Sequence, residues 1–206
     1  MYLNFPILFH MFELLFEKIN DKVQLTAAEQ EACKQYYTIK KLRKRQYLLQ
    51  EGEVCKYVTF VNKGALRRYT VSEKGDEHLL QFAFEGWTIA DLYSLITGEP
   101  STSCIDALED CELLLLSKQN QEELMIAIPK MQRFFFLNIQ NAYVALQRRM
   151  TAAISLTADE KYLHLVKTYP HIVQRVPQHM IASYLGISPE TLSRLRKQMK
   201  TGEQES

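Results

Sequence analysis

Glycine and proline are scarce in this chain, 7 and 6 among 206 residues, about half the usual share of the two together. That excludes collagen-like and low-complexity sequence. Neither sign of charge prevails: Lys and Arg total 25 against 24 Asp and Glu, so a polyanionic partner must meet a local patch rather than a field over the whole molecule. Cysteine is sparse as well. Cys33, Cys55, Cys104 and Cys111 form no Cys-x-x-Cys pair and follow no cysteine-rich N-terminus, which argues against a zinc finger, a ferredoxin-type cluster or a secreted disulfide scaffold. Long apolar runs are missing too: the opening MYLNFPILFHMFELLF is broken by Pro6, His10 and Glu13, lacks a basic flank and falls short of the roughly 20 residues of a membrane span. A cytoplasmic protein with no membrane segment is expected, with residues 1–10 as an upstream extension or a partner-binding arm ahead of Met11. Of His10, His78, His164, His171 and His179, only His78 falls among expected strands, so a cupin-like metal site lacks its ligands. No enzyme activity, catalytic residue or bound metal is expected.

What is present is ordinary globular material, 47% hydrophobic and 24% charged residues, in a length that suits one large domain or two small ones. The hydrophobic period changes twice. A short helical opening covers Phe12 to Ile19, then Thr26 to Tyr37, the latter starting at a Thr-x-x-Glu capping box of Thr26 and Glu29. Short strands follow at Tyr47–Gln50, Tyr57–Val61, Ala65–Val71, His78–Phe84, Trp87–Ala90, Ser103–Leu108 and Leu113–Leu116, separated by turn residues such as Asn62-Lys63-Gly64, Ser72 to Glu77 and Glu85-Gly86. Strands at this spacing predict a compact antiparallel sandwich or roll.

From Pro129 the period is helical for about 25 residues without an internal Pro or Gly, well beyond the mean helix of 11 to 12. Met131, Phe135, Ile139, Ala142, Leu146, Met150 and Ala153 make one stripe, and Phe134, Leu137, Val144 and Ala145 widen it. An apolar surface that broad predicts contact with the roll on one side and a second copy of the chain on the other. Ser155-Leu156 reads as a hinge, because Thr157 and Glu160 form a second capping box that restarts a helix through Thr168, stopped by Tyr169-Pro170. The expected organisation is a roll over residues 11–127, a dimerisation helix over 128–155 and a helical domain over 156–206.

That last domain carries the chemistry. Gln178 to Lys197, QHMIASYLGISPETLSRLRK, fits a helix-turn-helix position by position. Ala182 is small where the helices cross, Gly186 tolerates a positive φ four residues on, and Ser188 with Pro189 makes an N-cap and first helical residue. Ile181, Leu185, Ile187, Leu192 and Leu195 point inward. Glu190, Ser193, Arg194 and Lys197 are left on one outward face. Arg194 suits guanine O6 and N7, Glu190 suits the cytosine amine, and Ser193 is a short reader beside them. Gln178, Ser188, Thr191, Arg196, Lys197 and Lys200 are expected to hold phosphates of double-stranded DNA, which fixes register without reading bases.

These residues, above all Ile181-Ala182-Ser183-Tyr184-Leu185-Gly186-Ile187-Ser188-Pro189-Glu190-Thr191-Leu192-Ser193-Arg194, closely resemble the recognition motif of the cyclic AMP receptor/fumarate-nitrate regulator (Crp/Fnr) superfamily. The resemblance covers essentially everything after Met11. It implies an α+β chain: an antiparallel β-roll of the cyclic-nucleotide-binding jelly-roll type, a long dimerisation helix and a winged helix-turn-helix. It also implies a homodimer that reads a near-palindrome and regulates transcription, with RNA polymerase as a candidate partner. Two departures limit it. The nucleotide-binding members hold ribose and phosphate with a Gly-Glu-Leu segment and an Arg-Ser/Thr pair, whereas this chain has Ile89-Ala90-Asp91-Leu92 and Ser101-Thr102. The phosphate-neutralising Arg is missing and Asp91 repels an anion, so cyclic nucleotide is not the expected ligand and no cofactor is assigned. If another effector exists, Trp87, Ile89, Ala90, Asp91, Ser101, Thr102 and Ser103 are where its pocket is expected. The second departure is the short tail Thr201 to Ser206, which leaves little chain for a wing. Two other readings stand beside these: Cys104 with Cys111 as a thiol switch, and an effector-gated module of the same fold that docks on another regulator through Phe134-Phe135-Phe136 and the N-terminal arm instead of binding DNA.

Overall fold

A computed structural model describes the backbone of residues 5–202 and the side chains of residues 11–199. The chain forms two compact units, one made of the residues up to Thr70 together with Leu80–Gln140, the other of Val71–Leu79 and everything from Asn141 onward. Among the described residues no helix is long and apolar enough to cross a membrane.

The first unit begins with α1 (Phe5–Asn20) and α2 (Ala27–Lys34). Met11, Phe12, Leu15, Phe16 and Ile19 are all buried, the spacing of a single helical face. The capping box at the start of α2 is present, with Glu29 N–H donating to Thr26 Oγ1 and the Thr26 N–H to Glu29 Oε2. Helix was expected to run on to Tyr37, but it stops at Lys34 and β1 (Tyr37–Leu42) takes over. The reason is non-local: β1 pairs antiparallel with β8 (Cys111–Ser117) over its whole length, from Tyr37 opposite Leu116 to Leu42 opposite Cys111.

The remaining strands are β2 (Tyr47–Leu49), β3 (Tyr57–Lys63), β4 (Leu66–Val71), β5 (Glu77–Ala83), β6 (Thr88–Ile89) and β7 (Cys104–Ala107). They form two four-stranded sheets, ordered β1-β8-β3-β6 and β2-β7-β4-β5. This is the expected antiparallel roll. β8 explains the uninterrupted Leu113–Leu116 run. Leu114 and Leu116 face a core shared with α1, Cys33 and Phe60, while Cys111, Leu113 and Leu115 face the roll interior with Val61, Leu66, Ile89 and Ile105. A strand covered on both faces needs no polar alternation. Between β3 and β4, Gly64 has φ +94, and a Cβ there would sit 2.6 Å from the Asp110 carbonyl and 2.7 Å from Cys111 Sγ, so only glycine fits.

In the first unit α3 (Leu92–Thr97), capped by the Asp91 side chain, and α4 (Lys118–Ala127), capped by Ser117, were not foreseen. α5 (Lys130–Ser155) is the long helix that the periodicity predicts. Its first turns belong to the first unit. Met131 and Phe134 are sealed in the core with α1 and Phe135 packs against it. The expectation that Met131 joins a seam for a second chain is therefore corrected: at 0% exposure it is part of the roll's own core. Beyond it the apolar stripe is bare, with Ile139, Tyr143, Leu146, Met150 and Ile154 between 59% and 78% exposed.

The second unit continues with α6 (Ala158–Thr168), which starts at the Thr157/Glu160 capping box as expected. Pro170, read as a stop, is also a start: it is the first residue of α7 (Pro170–Arg175), where a missing N–H costs nothing. α8 (Gln178–Leu185) and α9 (Pro189–Gly202) complete the unit. The tail from residue 203, where a wing was expected to be cut short, lies outside the described residues, as do the side chains of residues 1–10.

Candidate nucleic-acid interface

α8 and α9 meet over a small dry core. Ile181, Ala182 and Leu192 are fully buried and Leu195 nearly so, joined by Tyr162 and Leu165 of α6, Ile172 of α7 and Val176. Ala182 is where the helices cross, and a larger side chain would push them apart. The turn between them is closed by backbone bonds. Gly186 takes a left-handed φ of 67°, its N–H donates to the Ser183 carbonyl at 3.1 Å, and the Ile187 N–H donates to the Ala182 carbonyl at 3.0 Å, the bond pattern that ends a helix at a left-handed residue. Nothing lies within 4 Å of where a Cβ on Gly186 would be. The glycine is therefore required by its φ and not by crowding. Ser188 Oγ then accepts the Thr191 N–H at 3.2 Å, the N-cap bond that starts α9.

With that core facing inward, Pro189, Glu190, Ser193, Arg194 and Lys197 line one shallow open concavity. Glu190, Arg194 and Lys197 are exposed and Ser193 is half-buried, so the trio expected to read bases and the neighbouring lysine share a face. Glu190 is held below the usual carboxylate range by its own backbone N–H and by the Ser188 hydroxyl, and it is thus an anion, able only to accept, at neutral pH. Gln178 and Ser188 are exposed and Thr191 is half-buried. The side chain of Lys200 lies outside the described residues. Arg196 stands apart from the Glu190–Lys197 face. It is half-buried, it sits two residues and so about 200° around the helix from Arg194, and its charge acts on the Tyr162 hydroxyl of α6.

The residues expected around an effector form a different arrangement, inside the first unit. Asp91 is buried. Its carboxylate accepts the Ser101 hydroxyl at 2.6 Å, the Ser103 hydroxyl at 3.3 Å and the Ser94 N–H at 3.3 Å. Burial alone pushes this carboxyl up, and the bonds from Ser101 and Ser94, the Arg68 charge and the Ser103 bond together outweigh it and hold it low. Arg68 of β4 stands 3.9 Å away and donates to the Ala90 carbonyl at 2.9 Å. A guanidinium does reach this region, then, but from β4, where spacing within the expected pocket segment cannot show it. Its charge faces a carboxylate of the chain itself. Of the other expected residues, Ile89 is buried in the roll core with Trp87 and Ala90 packed against it, and Thr102 is exposed. Outside this knot, Arg67 and Asp106 form a bidentate pair at 2.8 and 2.9 Å with side chains 9% and 10% exposed, and Tyr69 stacks 4.1 Å from the guanidinium.

The cysteines are free thiols. Burial pushes Cys111 up to about 11 and Cys33 up to about 12, far from the thiolate that redox chemistry needs, and Cys104 Sγ accepts the Glu51 N–H.

Residues 39–127 match the family model of the cyclic nucleotide-binding domain. Over 169 residues, 76% of this chain, the sequence is 24% identical to the fumarate and nitrate reduction regulatory protein of Vibrio cholerae, and over 167 residues it is 25% identical to the regulatory protein HlyX of Actinobacillus pleuropneumoniae. These matches cover 66% and 69% of the two relatives; the chain spans about two thirds of their length. In fold it is similar to FixK2 from Bradyrhizobium japonicum, with a TM-score of 0.67 at 20% identity over 81% of this chain and 86% of that one. A roll that matches the cyclic nucleotide-binding domain, a long helix and a helix-turn-helix make the chain similar, in sequence and in fold, to regulators of the fumarate-nitrate type.

Proposed function

We propose that the protein is a sequence-specific DNA-binding transcription regulator that acts as a homodimer in the cytoplasm. The observation that carries this reading is the outward face of α9: Glu190, Ser193, Arg194 and Lys197 on one side of a helix whose other side is locked by Leu192 and Leu195. Arg194 donates two bonds to a guanine edge and Glu190 accepts from a cytosine amine, each good contact discriminating by roughly 1 to 3 kcal/mol. Lys197, Gln178 and Thr191 hold the backbone beside them. The exposed stripe Ile139, Tyr143, Leu146 and Met150 supports pairing of two copies through α5, and a two-fold dimer reads an inverted repeat with half-sites about one helical turn apart. In this reading residues 11–127 form the roll, 128–155 the dimerisation helix and 156–206 the DNA-binding domain. The roll supports or gates the dimer without cyclic nucleotide, because its cationic Arg68 already faces Asp91, and the protein is not an enzyme.

Selection of duplexes from a random pool at about 150 mM salt, where non-specific binding is weak, tests the proposal. The expected outcome is an enriched inverted repeat. A folded, dimeric protein that enriches no sequence, with or without cell extract as a source of effector, overturns it.

A further inference from the structure

β5 is the end strand of its sheet, ordered β2-β7-β4-β5, so among the described residues one edge of it has no strand to pair with. Glu77 and Leu79 are two apart and present their N–H and C=O groups to the same edge. Bare groups of this kind are a liability that a fold has to cover. Within the second unit they are covered by side chains of the helices. Ser183 of α8 accepts the Leu79 N–H at 3.0 Å and donates its hydroxyl to the Glu77 carbonyl at 3.0 Å. Arg149 of α5 donates to the Leu79 carbonyl at 3.4 Å, and its guanidinium lies 4.3 Å from the ring centroid of Tyr184, the residue next to Ser183.

We infer that Ser183 and Arg149 are positioning residues, which clasp the helix-turn-helix to the strand edge at Glu77–Leu79 and so fix how α9 is presented. This rests on the DNA-binding reading above. A single hydroxyl satisfies a donor and an acceptor of one strand edge, which specifies the place of α8 in two directions. The flat Arg149 side chain ties the same edge to Tyr184 and to the long helix in one contact. None of the three lies on the Glu190–Lys197 face, so the clasp leaves the reading groups open. What it contributes is preorganisation: a dimer that must meet two half-sites at a set separation loses less freedom on binding when each reading helix is already held.

The experiment compares wild type, Ser183→Ala, Ser183→Thr and Arg149→Ala by amide hydrogen exchange without DNA and by titration with the selected duplex and with its single-base variants. Ser183→Ala and Arg149→Ala are expected to speed exchange of the Leu79 amide or its neighbours and to weaken duplex binding by up to about tenfold, the effect of losing one such bond. The ratio of affinities between the selected duplex and its variants stays as in wild type. Ser183→Thr, which keeps the hydroxyl, is expected to restore both. Unchanged exchange at Leu79 in Ser183→Ala overturns the clasp. Faster exchange with unchanged or tighter binding overturns its positioning role. If wild type itself binds no duplex, the DNA-binding reading fails, whereas the exchange arm still decides the clasp.

Discussion

The roll and the helix-turn-helix use charged groups in opposite ways. In the roll they face each other: Arg67 with Asp106, and Asp91 with Arg68 and two serine hydroxyls, all buried or half-buried. On α9, Glu190, Arg194 and Lys197 point to solvent around an open concavity. A charge that is desolvated and paired within the chain holds a structure together and has little left to offer a ligand, whereas a charge held in water on a rigid helix is ready for a partner. The difference fits the proposal that α9, and not the roll, recognises a partner by charge. It also implies that substitutions in the two regions should fail differently.

The largest effect is expected at Arg67→Ala, which leaves the Asp106 carboxylate buried without its bidentate partner. Removing one member of such a pair costs about 3 to 5 kcal/mol, to be read as a drop in the denaturant midpoint. Replacing both, Arg67→Met with Asp106→Leu, should recover most of that loss. If Arg67→Ala proves as mild as a surface substitution, the inward pairing is not what holds β4 to β7.

Asp91→Ala follows, at about 2 to 3 kcal/mol, since the Ser94 N–H and the Ser101 and Ser103 hydroxyls lose a buried acceptor. The linkage sign is fixed by the low carboxyl of Asp91 in the folded state. Its contribution is fully present above the unfolded value of about 3.9 and is lost as pH falls through the lower folded one. Acid titration of stability should therefore show a component in wild type that Asp91→Asn lacks, while duplex binding at neutral pH is the same in both. A change in sequence preference in either Asp91 variant would contradict the division of labour between roll and helix-turn-helix.

The two regions also differ in how far the sequence reveals them. What shapes the turn of the helix-turn-helix is local: Ala182, Gly186 at the left-handed position and Ser188 at the cap stand within a few residues of each other, and each chemistry admits few residue types. The roll is held by pairs far apart in the chain. β1 was missed, and its first residue Tyr37 was given to the preceding helix, because the Thr26 capping signal is local whereas the β8 partner of Tyr37 is Leu116. Asp91 was read as a pocket residue because its cap role needs α3, and its partners Ser101 and Arg68 approach from either side. Met131 could not be told from the exposed stripe, since periodicity gives a face without saying where that face changes neighbour. The link between Ser183 and Leu79 spans 104 residues and has no signature in either segment. Arg196 differs from Arg194 by its angle around α9, about 200°, which the spacing in the sequence already shows.

On the outward face the comparison predicts changes in recognition without loss of stability. Arg194→Ala and Glu190→Gln should shift the denaturant midpoint by less than about 0.5 kcal/mol. Each should relax preference at one base pair by about 1 to 3 kcal/mol. Lys197→Ala should instead weaken all sequences alike and lower the salt slope by about 1. If both Arg194→Ala and Lys197→Ala keep the wild-type preference, the roles assigned on this face are wrong.

The smallest effect probes where the two kinds of carboxylate come closest to each other. Glu190, like Asp91, is held low, but in water, by its own N–H and the Ser188 hydroxyl at the start of α9. Ser188→Ala removes that hydroxyl and the acceptor of the Thr191 N–H, which costs about 1 kcal/mol of helix stability. It should also move the Glu190 titration, followed by NMR, part of the way up toward an ordinary glutamate. The move is partial because the backbone N–H, the larger cause, remains. Both forms of the protein keep Glu190 ionised at neutral pH, so base preference should be unchanged between pH 6 and 8. A Glu190 carboxyl that titrates identically with and without the Ser188 hydroxyl would mean that the helix terminus alone sets it, and that the reading face owes its charge state to backbone geometry and not to the cap.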